Sequence, residues 1–254
     1  MGLSVVIITR NEEANLGRTL KSIAWADERI VVDSGSTDRT VEIARQHGAQ
    51  VFEESWKGYA GQKNSAIAKA SCEWILSLDA DEEVSPELQA DIRRVTGGAD
   101  SDVSGYFIAR RNFFLGRWIR HGGFYPDRKL RLFRRGKGEF VERAVHETMR
   151  LNGPTATLKG DLLHNAYPTL AGYIETMNRY STLGAEILIK KGQVGRSLFS
   201  FWADVCARPV LNFVWNYFFR AGFLDGREGF LLHWYHHVYV SWKYAKAWEL
   251  AREP

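Results

Sequence analysis

The sequence has few of the features that mark secreted, fibrous or membrane-spanning proteins. Its 254 residues include only two cysteines, Cys72 and Cys206, too few for the disulfide framework of a small secreted domain. The N-terminus shows neither a charged start ahead of an apolar core nor a small-residue cleavage site, so we expect no secretory signal. The most apolar window, residues 210–219, is too short to cross a bilayer and contains two asparagines. We therefore expect a protein of a reducing compartment.

Neither sign of charge dominates, and the composition is ordinary. Lysine plus arginine number 34 and aspartate plus glutamate 30, which leaves a formal net charge of +4. Hydrophobic residues make up 45% and charged residues 25%, which excludes disordered, collagen-like and coiled-coil chains. No Gly-x-Gly-x-x-Gly follows the first predicted strand, which argues against a dinucleotide dehydrogenase.

Strand and helix patterns alternate through the first hundred residues. Apolar runs that predict buried strands occur at residues 4–9, 29–32, 50–52 and 73–78. Helical spacing or capping signals lie between and after them, which implies right-handed crossovers and a parallel sheet. Open sheets of this kind bind ligands beyond the carboxyl ends of their strands.

The middle and the last third of the chain have different patterns. Further strands are predicted at residues 105–110, 129–133 and 140–145. Helices are predicted from about Thr169 onward, with breaks at residues 191–192 and 224–226. The sequence thus predicts a mostly parallel α/β sheet flanked by helices, followed by a helical, aromatic-rich extension.

Two aspartates directly follow the fourth strand, as Asp79-Ala80-Asp81. Residues two apart in extended backbone point to the same side, so both carboxylates would face one cavity. Close carboxylates repel unless a cation or a proton lies between them, and a hard divalent ion fits that place. Such an ion can bridge a diphosphate and stabilise it as it departs. The alternative is a solvated acidic loop at a helix entry, since Glu82 and Glu83 are acidic too.

Polar residues also end the first two strands. Asp33 ends the second strand and Thr9-Arg10-Asn11-Glu12 ends the first, and in a parallel sheet these ends share an edge with Asp79. A carboxylate at Asp33 could accept a base N–H, and one at Asp79 could hold a ribose hydroxyl. The three strand ends therefore predict a nucleotide site. The alternative for Asp33 is to form the turn ahead of Ser34-Gly35.

Four motifs follow one another within about residues 3–90: SVVIITRNEEANL, IVVDSGSTDRT, GQKNSA and LDADEE. In this order and spacing they resemble the N-terminal half of family 2 glycosyltransferases with the GT-A fold. The resemblance implies a nucleotide-sugar donor, a divalent metal (Mg²⁺ or Mn²⁺) and inversion at the anomeric carbon. It also implies a GT-A catalytic domain over residues 1–165, with the nucleotide-sugar half in 1–100, the acceptor half in 101–165 and a helical region over 166–254.

The resemblance further implies roles for individual residues near the donor. The substrate-binding residues at the first two strand ends are Thr9, Arg10, Asn11, Glu12 and Asp33, of which Thr9, Glu12 and Asp33 surround the base. Lys63 in GQKNSA approaches the uridine or the phosphates. Asp79 contacts the nucleoside, and Asp81 binds the metal.

The second half is similar to a narrower bacterial subgroup. HGGFYPDRKLRLFRRGKGEFVERAVHE, residues 121–147, and the later FLDGREGF resemble lipopolysaccharide-core β-1,4-glucosyltransferases. This implies transfer of a hexose, with glucose favoured, from a UDP-sugar to a lipid-anchored saccharide, with the lipopolysaccharide inner core as the favoured acceptor. The alternatives are another cell-envelope glycan or lipid carrier as acceptor, or a non-catalytic membrane-surface scaffold on the same fold.

An inverting transfer needs a base that deprotonates the acceptor hydroxyl. By the resemblance, an acid in the acceptor half does this, and the candidate is Glu147 in Val145-His146-Glu147. His146 could complete the metal shell or orient the glutamate. Because many relatives have an acid followed by Asp where this chain has His-Glu, Asp127 and Glu142 remain rivals. A surface position for Glu147 is the remaining alternative.

Residues 110–135 hold eight arginines and Lys129 against a single acid, Asp127. Such a one-sided block usually has an anionic partner. Guanidinium groups bind phosphate in bidentate fashion, and we predict that Arg128 and Arg131 contact the diphosphate or a phosphorylated acceptor. The alternative is a solvated basic hairpin. Nucleic acid is not predicted, since no motif that reads RNA or DNA accompanies the block.

The aromatic C-terminal region interleaves tryptophan with arginine on predicted amphipathic helices. This pattern suits the headgroup region of a membrane, so we expect a cytoplasmic protein, peripheral on the inner face of the bacterial inner membrane. The alternative is packing against the catalytic domain or another subunit, which would give a homo-oligomer through the C-terminal helices.

A second enzymatic interpretation makes Asp79 a phosphatase nucleophile and Asp81 its acid/base. That chemistry usually has its acid pair after the first strand, followed by Thr or Val. Here the pair follows the fourth strand and precedes Glu82, so the transferase interpretation is favoured.

Overall fold

The N-terminal strands pair in parallel, as the alternating pattern predicts. These strands are β1 (Leu3–Thr9), β2 (Glu28–Asp33), β3 (Gln50–Glu53) and β4 (Trp74–Asp79). They lie in the order β3-β2-β1-β4. Val5 and Ile7 of β1 belong to one buried apolar cluster and Val6 to another. Both faces of β1 are therefore covered, which explains its continuous apolar sequence.

Helices follow these strands. They are α1 (Leu16–Ser22), α2 (Thr40–Gln46), α3 (Gly58–Lys69) and α4 (Pro86–Arg94), the last continued by a π-helical turn over Val95–Ala99. Ser85 caps α4 by accepting the N–H of Leu88 at 3.2 Å, and Pro86 occupies the first turn.

Beyond β4 the assigned strand pairs are antiparallel. The strands are β5 (Glu82–Val84), β6 (Gly105–Phe114), β7 (Arg117–Trp118), β8 (Asp127–Arg134) and β11 (Thr155–Tyr167). They extend the sheet in the order β4-β8-β6-β11-β5, with β7 paired to β6. β4–β8, β6–β8 and β5–β11 are antiparallel pairs. The result is an α/β sheet with flanking helices, as the sequence predicts, and it is mixed: its N-terminal strands pair in parallel and the strands beyond β4 antiparallel.

A separate two-stranded sheet is formed by β9 (Gly138–Val141) and β10 (Thr148–Leu151). β9 begins directly after a turn at residues 135–137. The computed structural model describes residues 2–99, 102–141, 148–195 and 197–252. The end of the strand predicted at residues 140–145 therefore lies outside the described residues.

The last third is helical and aromatic-rich, as predicted. α5 (Leu170–Lys190) precedes a helical stretch over residues 198–219, and α8 (Gly226–Leu250) follows a 3-10 turn at Gly222–Asp225. The stretch consists of α6 (Leu198–Trp202), a π-helical segment Ala203–Ala207, α7 (Arg208–Val214) and a second π-helical segment Trp215–Phe219. None of the described helices is both long and apolar enough to span a bilayer.

The chain divides into two compact units. One comprises Met1–Arg111 and Asp127–His164, the other Asn112–Pro126 and Asn165–Pro254. Residues 112–126, which the sequence analysis placed in the acceptor half, group with the C-terminal helices. The core of that helical unit includes Phe114, Ile119, Tyr173, Met177 and Leu232.

Candidate active site

Three strand ends with polar residues lie at one edge of the sheet. β1 pairs with β2 so that Thr9 lies opposite Asp33, and with β4 so that Ile8 lies opposite Asp79. The three strands are parallel, so their carboxyl ends point the same way. The structure thus brings together the strand ends that the sequence predicts, and Asp81 follows Asp79 by two residues.

Asp33 is buried, and its carboxylate is bonded to the chain itself. Its Oδ1 accepts the N–H of Gly35 (2.9 Å) and of Ser36 (2.8 Å), and its Oδ2 accepts Thr9 Oγ1 (3.0 Å) and Ser36 Oγ. A carboxylate has about four lone-pair sites, so these four hydrogen bonds occupy all the sites at which Asp33 can accept a hydrogen. Gly35 has a φ of 88° in this turn, a conformation that favours glycine. Asp33 therefore forms the turn that the alternative interpretation assigns to it, and its contact with a base stays a prediction.

The loops after β1 and β2 hold each other in place. The N–H of Asn11 donates to Ser36 Oγ and Asn11 Oδ1 accepts the N–H of Thr37, both at 2.8 Å. The N–H of Glu12 donates to Thr40 Oγ1 at 2.7 Å. Asn11 has a φ of 56°, which asparagine tolerates because its short polar side chain bonds locally. The RNEE and GSTDRT sequences therefore build this edge through mutual hydrogen bonds.

Glu12 is half-buried in a region of negative charge. Burial raises the pKa of Glu12, the hydrogen bond from Asn15 Nδ2 (3.0 Å) opposes the rise, and the charges of Asp81, Asp38 and Asp79 add to it. Carboxylates that raise one another's pKa are close together, and a cation among them would lower it again. The sheet edge is thus suited to receive a positive ion.

Asp79 lies at the centre of a network of charges. Lys63 Nζ donates to its Oδ1 at 2.9 Å, and Arg131 Nη2 donates to its Oδ2. Burial opposes ionisation of Asp79, but the charges of Arg131 and Lys63 outweigh burial and hold the pKa of Asp79 well below its ordinary value. Its side chain keeps 32% of its surface exposed, so an ionised carboxylate remains within reach of a ligand.

Glu82 completes this network, and the sequence analysis did not identify it as a site residue. Its Oε1 accepts Arg131 Nη2 at 2.7 Å and Arg110 Nη1 at 3.2 Å, and its Oε2 accepts the N–H of Asp79 at 3.0 Å. The side chain of Glu82 is fully buried, so the alternative of a solvated acid does not hold here. Glu82 fixes both the backbone of Asp79 and the guanidinium group that binds Asp79.

Asp81 has a partner that the sequence analysis also missed. His164 Nε2 lies 3.3 Å from Asp81 Oδ2. The antiparallel pairing of β11 with β5 places His164 opposite Glu82 and therefore next to the acidic loop. The sequence alone shows a single histidine at this position. No local sequence pattern shows that β11 pairs with β5, and this pairing is what brings His164 to Asp81.

Asp81 and His164 fit a divalent metal. A carboxylate oxygen suits Mg²⁺ and Mn²⁺, and an imidazole nitrogen suits transition metals, so Mn²⁺ can use both. Among residues 2–99, 102–141, 148–195 and 197–252, no group of three or more His, Cys, Asp or Glu is arranged to hold a metal. Substrate phosphates and water would therefore supply the other ligands. The other predicted metal ligand, His146, lies outside the described residues.

Consecutive side chains of α3 join this network to β9. Gln62 and Lys63 are almost fully buried, and Lys63 reaches Asp79. Asn64 binds the backbone of Phe140 at both groups: its Nδ2 donates to the carbonyl at 2.7 Å, and its Oδ1 accepts the N–H at 2.8 Å. The GQKN sequence therefore has a structural function as well as the predicted contact of Lys63 with the donor.

The predicted arginine ligands differ in exposure. Arg131 is 5% exposed. Burial disfavours its charge, but Asp79 and Glu82 outweigh burial and raise the pKa of Arg131 above its ordinary value. Arg128 is exposed, as is Arg10 at the end of β1. Their contacts with substrate stay predictions.

Only one of the three candidate bases is among the described residues. Glu142 and the favoured candidate Glu147 fall within residues 142–147, outside the described residues. Asp127 accepts Arg110 Nε at 2.9 Å and pairs with Lys129 Nζ at 3.1 Å. Burial opposes ionisation of Asp127, but the two cations outweigh burial and lower its pKa. Asp127 is therefore a weak proton acceptor.

The sequence matches one family model over most of its length. The model of Glycosyl transferase family 2 matches residues 4–179. The lipopolysaccharide core biosynthesis glycosyltransferase LpsC of Rhizobium meliloti is 32% identical over 231 residues, which are 88% of this chain and 82% of LpsC. An uncharacterized glycosyltransferase of Rickettsia typhi is 32% identical over 241 residues, or 90% of this chain and 80% of that protein.

Two solved structures have the same fold. A mannosyltransferase of Pyrobaculum calidifontis in complex with GDP-Man and Mn²⁺ superposes with a TM-score of 0.55 at 19% identity, covering 99% of this chain and 88% of that one. TarS 1–349 of S. aureus in complex with UDP superposes with a TM-score of 0.50 at 15% identity, covering 100% and 92%. At these identities the likeness concerns the fold.

Proposed function

This chain belongs to glycosyl transferase family 2 and has the GT-A fold, and from that premise we propose that it moves a hexose from a UDP-sugar to a lipid-anchored saccharide with inversion at the anomeric carbon. The observation that carries the proposal is the sheet edge where β4 ends at Asp79, next to the strand ends at Thr9 and Asp33, with the pair Asp81–His164 directly after β4. This edge offers ionised oxygens and a histidine where a nucleoside diphosphate binds in sheets of this type.

The charge balance of the site supports a metal-dependent donor complex. Buried Lys63 and Arg131 and half-buried Arg110 face the carboxylates Asp79, Glu82 and Asp127. These three positive charges are balanced by the three carboxylates, and a diphosphate would need cations beyond them. We infer that Asp81 and His164 hold a divalent ion. When bound, that ion would neutralise the departing diphosphate.

Exposed arginines supply further positive charge for the donor. Arg128 and Arg10 are exposed, so each can turn its guanidinium group towards a phosphate. Arg131 is already bonded to two carboxylates, and we assign it to holding Asp79 ionised and correctly placed for the nucleoside. The turn formed by Thr9 and Asp33 would hold the loop on which the base rests.

The proposed transfer needs one proton acceptor on the acceptor side. Glu147 takes the proton of the acceptor hydroxyl as its oxygen attacks the anomeric carbon from the face opposite the diphosphate. One bond from the anomeric carbon forms to the acceptor and one breaks to UDP, without a covalent enzyme intermediate. Asp127 is less suited to this task because Arg110 and Lys129 stabilise its ionised form.

The similarity to LpsC supports an acceptor of the lipopolysaccharide core, since that relative is named for lipopolysaccharide core biosynthesis. Glucose as the transferred sugar rests on the resemblance of residues 121–147 to core glucosyltransferases. The inner core, a lipid-anchored saccharide, is therefore the first acceptor to test.

A donor screen tests the metal and nucleotide parts of the proposal. Release of UDP or GDP is measured with UDP-glucose, UDP-galactose and GDP-mannose over a range of Mn²⁺ and Mg²⁺ concentrations. UDP-glucose should be the preferred donor, and activity should need the metal. Asp81→Asn should lower kcat/KM by about 100-fold, and His164→Ala should raise the Mn²⁺ concentration for half-maximal rate by roughly tenfold or more.

Glu83→Gln is the matched control, because Glu83 is in the same acidic run but pairs only loosely with Arg18, at 3.8 Å. It should behave as the unaltered protein. If Asp81→Asn and His164→Ala kept the unaltered metal dependence, the assigned metal site would be wrong.

A further inference from the structure

The helical unit exposes an unusual number of large apolar side chains. Six aromatic residues between positions 215 and 234 are between 41% and 73% exposed. We call them the aromatic face: Trp215, Phe218, Phe219, Phe223, Phe230 and Trp234. Soluble proteins seldom expose so many aromatic rings together unless the surface binds something.

Ring contacts join these residues into two groups, and the helical segment Trp215–Phe219 carries members of both. Half-buried Tyr217 contacts Phe218, Phe223 and Phe230, with centroids 5.1 to 6.3 Å apart. Phe230 stacks on Trp234 at 5.9 Å, and Trp215 stacks on Phe219 at 5.5 Å.

The same helical stretch begins with another apolar group. Leu198, Phe199 and Trp202 are 74%, 85% and 57% exposed. They lie in α6, at the other end of the stretch over residues 198–219 from Phe218 and Phe219. Exposed apolar side chains therefore occur along its length.

Residues 112–126 and 197–234, the second of which contains the aromatic face, carry more positive than negative charge. The three acids in residues 197–234 are all engaged: Asp225 is buried, Asp204 pairs with Arg208 at 3.0 Å, and Glu228 lies 3.8 Å from an arginine. The exposed arginines of this unit in residues 112–126 and 197–234 are Arg117, Arg120, Arg208, Arg220 and Arg227. Residues 112–126 contain no acid. Five arginines thus outnumber three acids.

A groove of the helical unit has both aromatic side chains and an arginine in its lining. It has a volume of about 560 Å³ and is lined by Tyr217, Phe223, Arg227, Phe230 and Leu231, among others. Aromatic walls with a guanidinium group at one side fit a molecule that has an apolar part and an anionic head.

We propose that the aromatic face binds the surface of an anionic phospholipid bilayer, with its rings at the level of the headgroups and acyl boundary and its arginines on lipid phosphates. Tryptophan and phenylalanine beside arginine are the side chains that favour this region. This inference rests on the helical unit alone and does not depend on the proposed transfer reaction.

A bilayer fits the surface better than a second copy of the chain. A two-fold dimer would bring the same patch against itself, so both copies would bring their surplus of positive charge into one interface. Anionic lipid phosphates neutralise the same arginines. The surplus of positive charge therefore favours binding to anionic lipid over self-association.

Vesicle flotation of the full-length protein tests the proposal. Vesicles of phosphatidylglycerol with phosphatidylethanolamine are compared with vesicles of phosphatidylcholine. The unaltered protein should float with the anionic vesicles and much less with the neutral ones, and binding should weaken as salt is raised. The affinity of the variant Trp215→Ser/Phe219→Ser/Phe223→Ser for anionic vesicles should be lower by at least about tenfold.

Two further variants separate the contributions. Arg220→Gln/Arg227→Gln should reduce binding to anionic vesicles and its salt dependence while leaving the weak binding to neutral vesicles. Trp56→Ser/Tyr59→Ser removes two aromatic rings of the other unit that are 46% and 54% exposed, and it should bind as the unaltered protein. Circular dichroism checks that each variant is folded.

Two results would overturn the proposal. One is equal flotation of the triple variant and the unaltered protein. The other is a dimer in lipid-free sedimentation that becomes a monomer in the triple variant without loss of vesicle binding, which would make the aromatic face a subunit interface.

Discussion

Glu82 has no exposed surface, yet the geometry of Asp79 depends on it. It binds the N–H of Asp79 and the guanidinium groups of Arg110 and Arg131. Removing one partner from a buried ionic network leaves the other charges without compensation, which costs more than the net stabilisation that the pair provides. The role of Glu82 is therefore to hold other groups in place.

We expect Glu82→Gln to lower the free energy of unfolding by roughly 3 kcal/mol, because Arg110 and Arg131 lose a buried counter-charge. Urea unfolding at neutral pH measures the change. Glu83→Gln, at the neighbouring and partly exposed position, should change stability by no more than about 0.5 kcal/mol. Equal losses in the two variants would show that the charge of Glu82 is not the stabilising feature.

Single residues at strand ends could be predicted, and residues placed by distant pairing could not. Asp79 and Asp81 follow an apolar run, so their position at a sheet edge was evident. Glu82 and His164 meet only because β5 pairs with β11, and that pairing joins segments about eighty positions apart. The sequence also predicts that Asp33 lies at this edge of the sheet. It does not predict the hydrogen bonds that the carboxylate oxygens of Asp33 accept, because these depend on the conformations of the loops.

At the scale of elements, a side chain of α3 binds the backbone of β9. Asn64 forms two hydrogen bonds with the backbone of Phe140, satisfying an N–H and a carbonyl group that lie beside the helix. Loss of both bonds leaves two partly buried polar groups without partners, which is more costly than losing a solvated contact.

Asn64→Leu should therefore lower the free energy of unfolding by about 2 kcal/mol. Gln46→Leu is the control, since Gln46 is an exposed amide near the end of α2. Chemical denaturation of both variants gives the comparison, and a change for Asn64→Leu as small as that of the control would contradict the role assigned to this amide.

α8 carries two histidines that are kept neutral by the fold. Burial lowers the pKa of His233 to about 4, against a weaker opposing effect of Asp225. Burial, with the nearby charges of His233, Lys243 and His237, lowers the pKa of His236 to about 4. Because the unfolded chain takes up these protons first, stability is complete above the ordinary histidine pKa and is lost as pH falls towards 4.

Between pH 7.5 and 5.5 the protein should lose roughly 1 kcal/mol of stability for each of these histidines. His233→Asn should show a smaller loss over the same interval. Urea unfolding at the two pH values measures the difference, and a dependence unchanged by His233→Asn would contradict the burial effect.

The order of the elements was predictable in part. The four parallel strands and the helices of the first hundred residues followed from local alternation and capping signals, since each crossover is set by neighbouring sequence. The antiparallel part was predicted only as separate strands, because its order β4-β8-β6-β11-β5 depends on distant pairings. The grouping of residues 112–126 with the C-terminal helices was not apparent for the same reason.

At the scale of the whole molecule, two units have different chemistry. The unit that contains the sheet brings together carboxylates, cations and a histidine at the carboxyl ends of β1, β2 and β4. The helical unit has an apolar, arginine-bordered surface. A transferase that takes a dissolved nucleotide-sugar and a lipid-anchored acceptor needs both kinds of surface, and the proposals for the two units can fail separately.

The most direct measurement is transfer of one hexose to a purified lipopolysaccharide inner core, followed by mass spectrometry of the acceptor and by release of UDP. With UDP-glucose and Mn²⁺ the full-length protein should add one hexose per acceptor, with a β-linkage by nuclear magnetic resonance. Asp81→Asn should slow formation of the product about 100-fold, and Glu83→Gln should form it at the unaltered rate. Absence of acceptor-dependent transfer from every UDP-hexose, or equal transfer by Asp81→Asn, would contradict the proposed function.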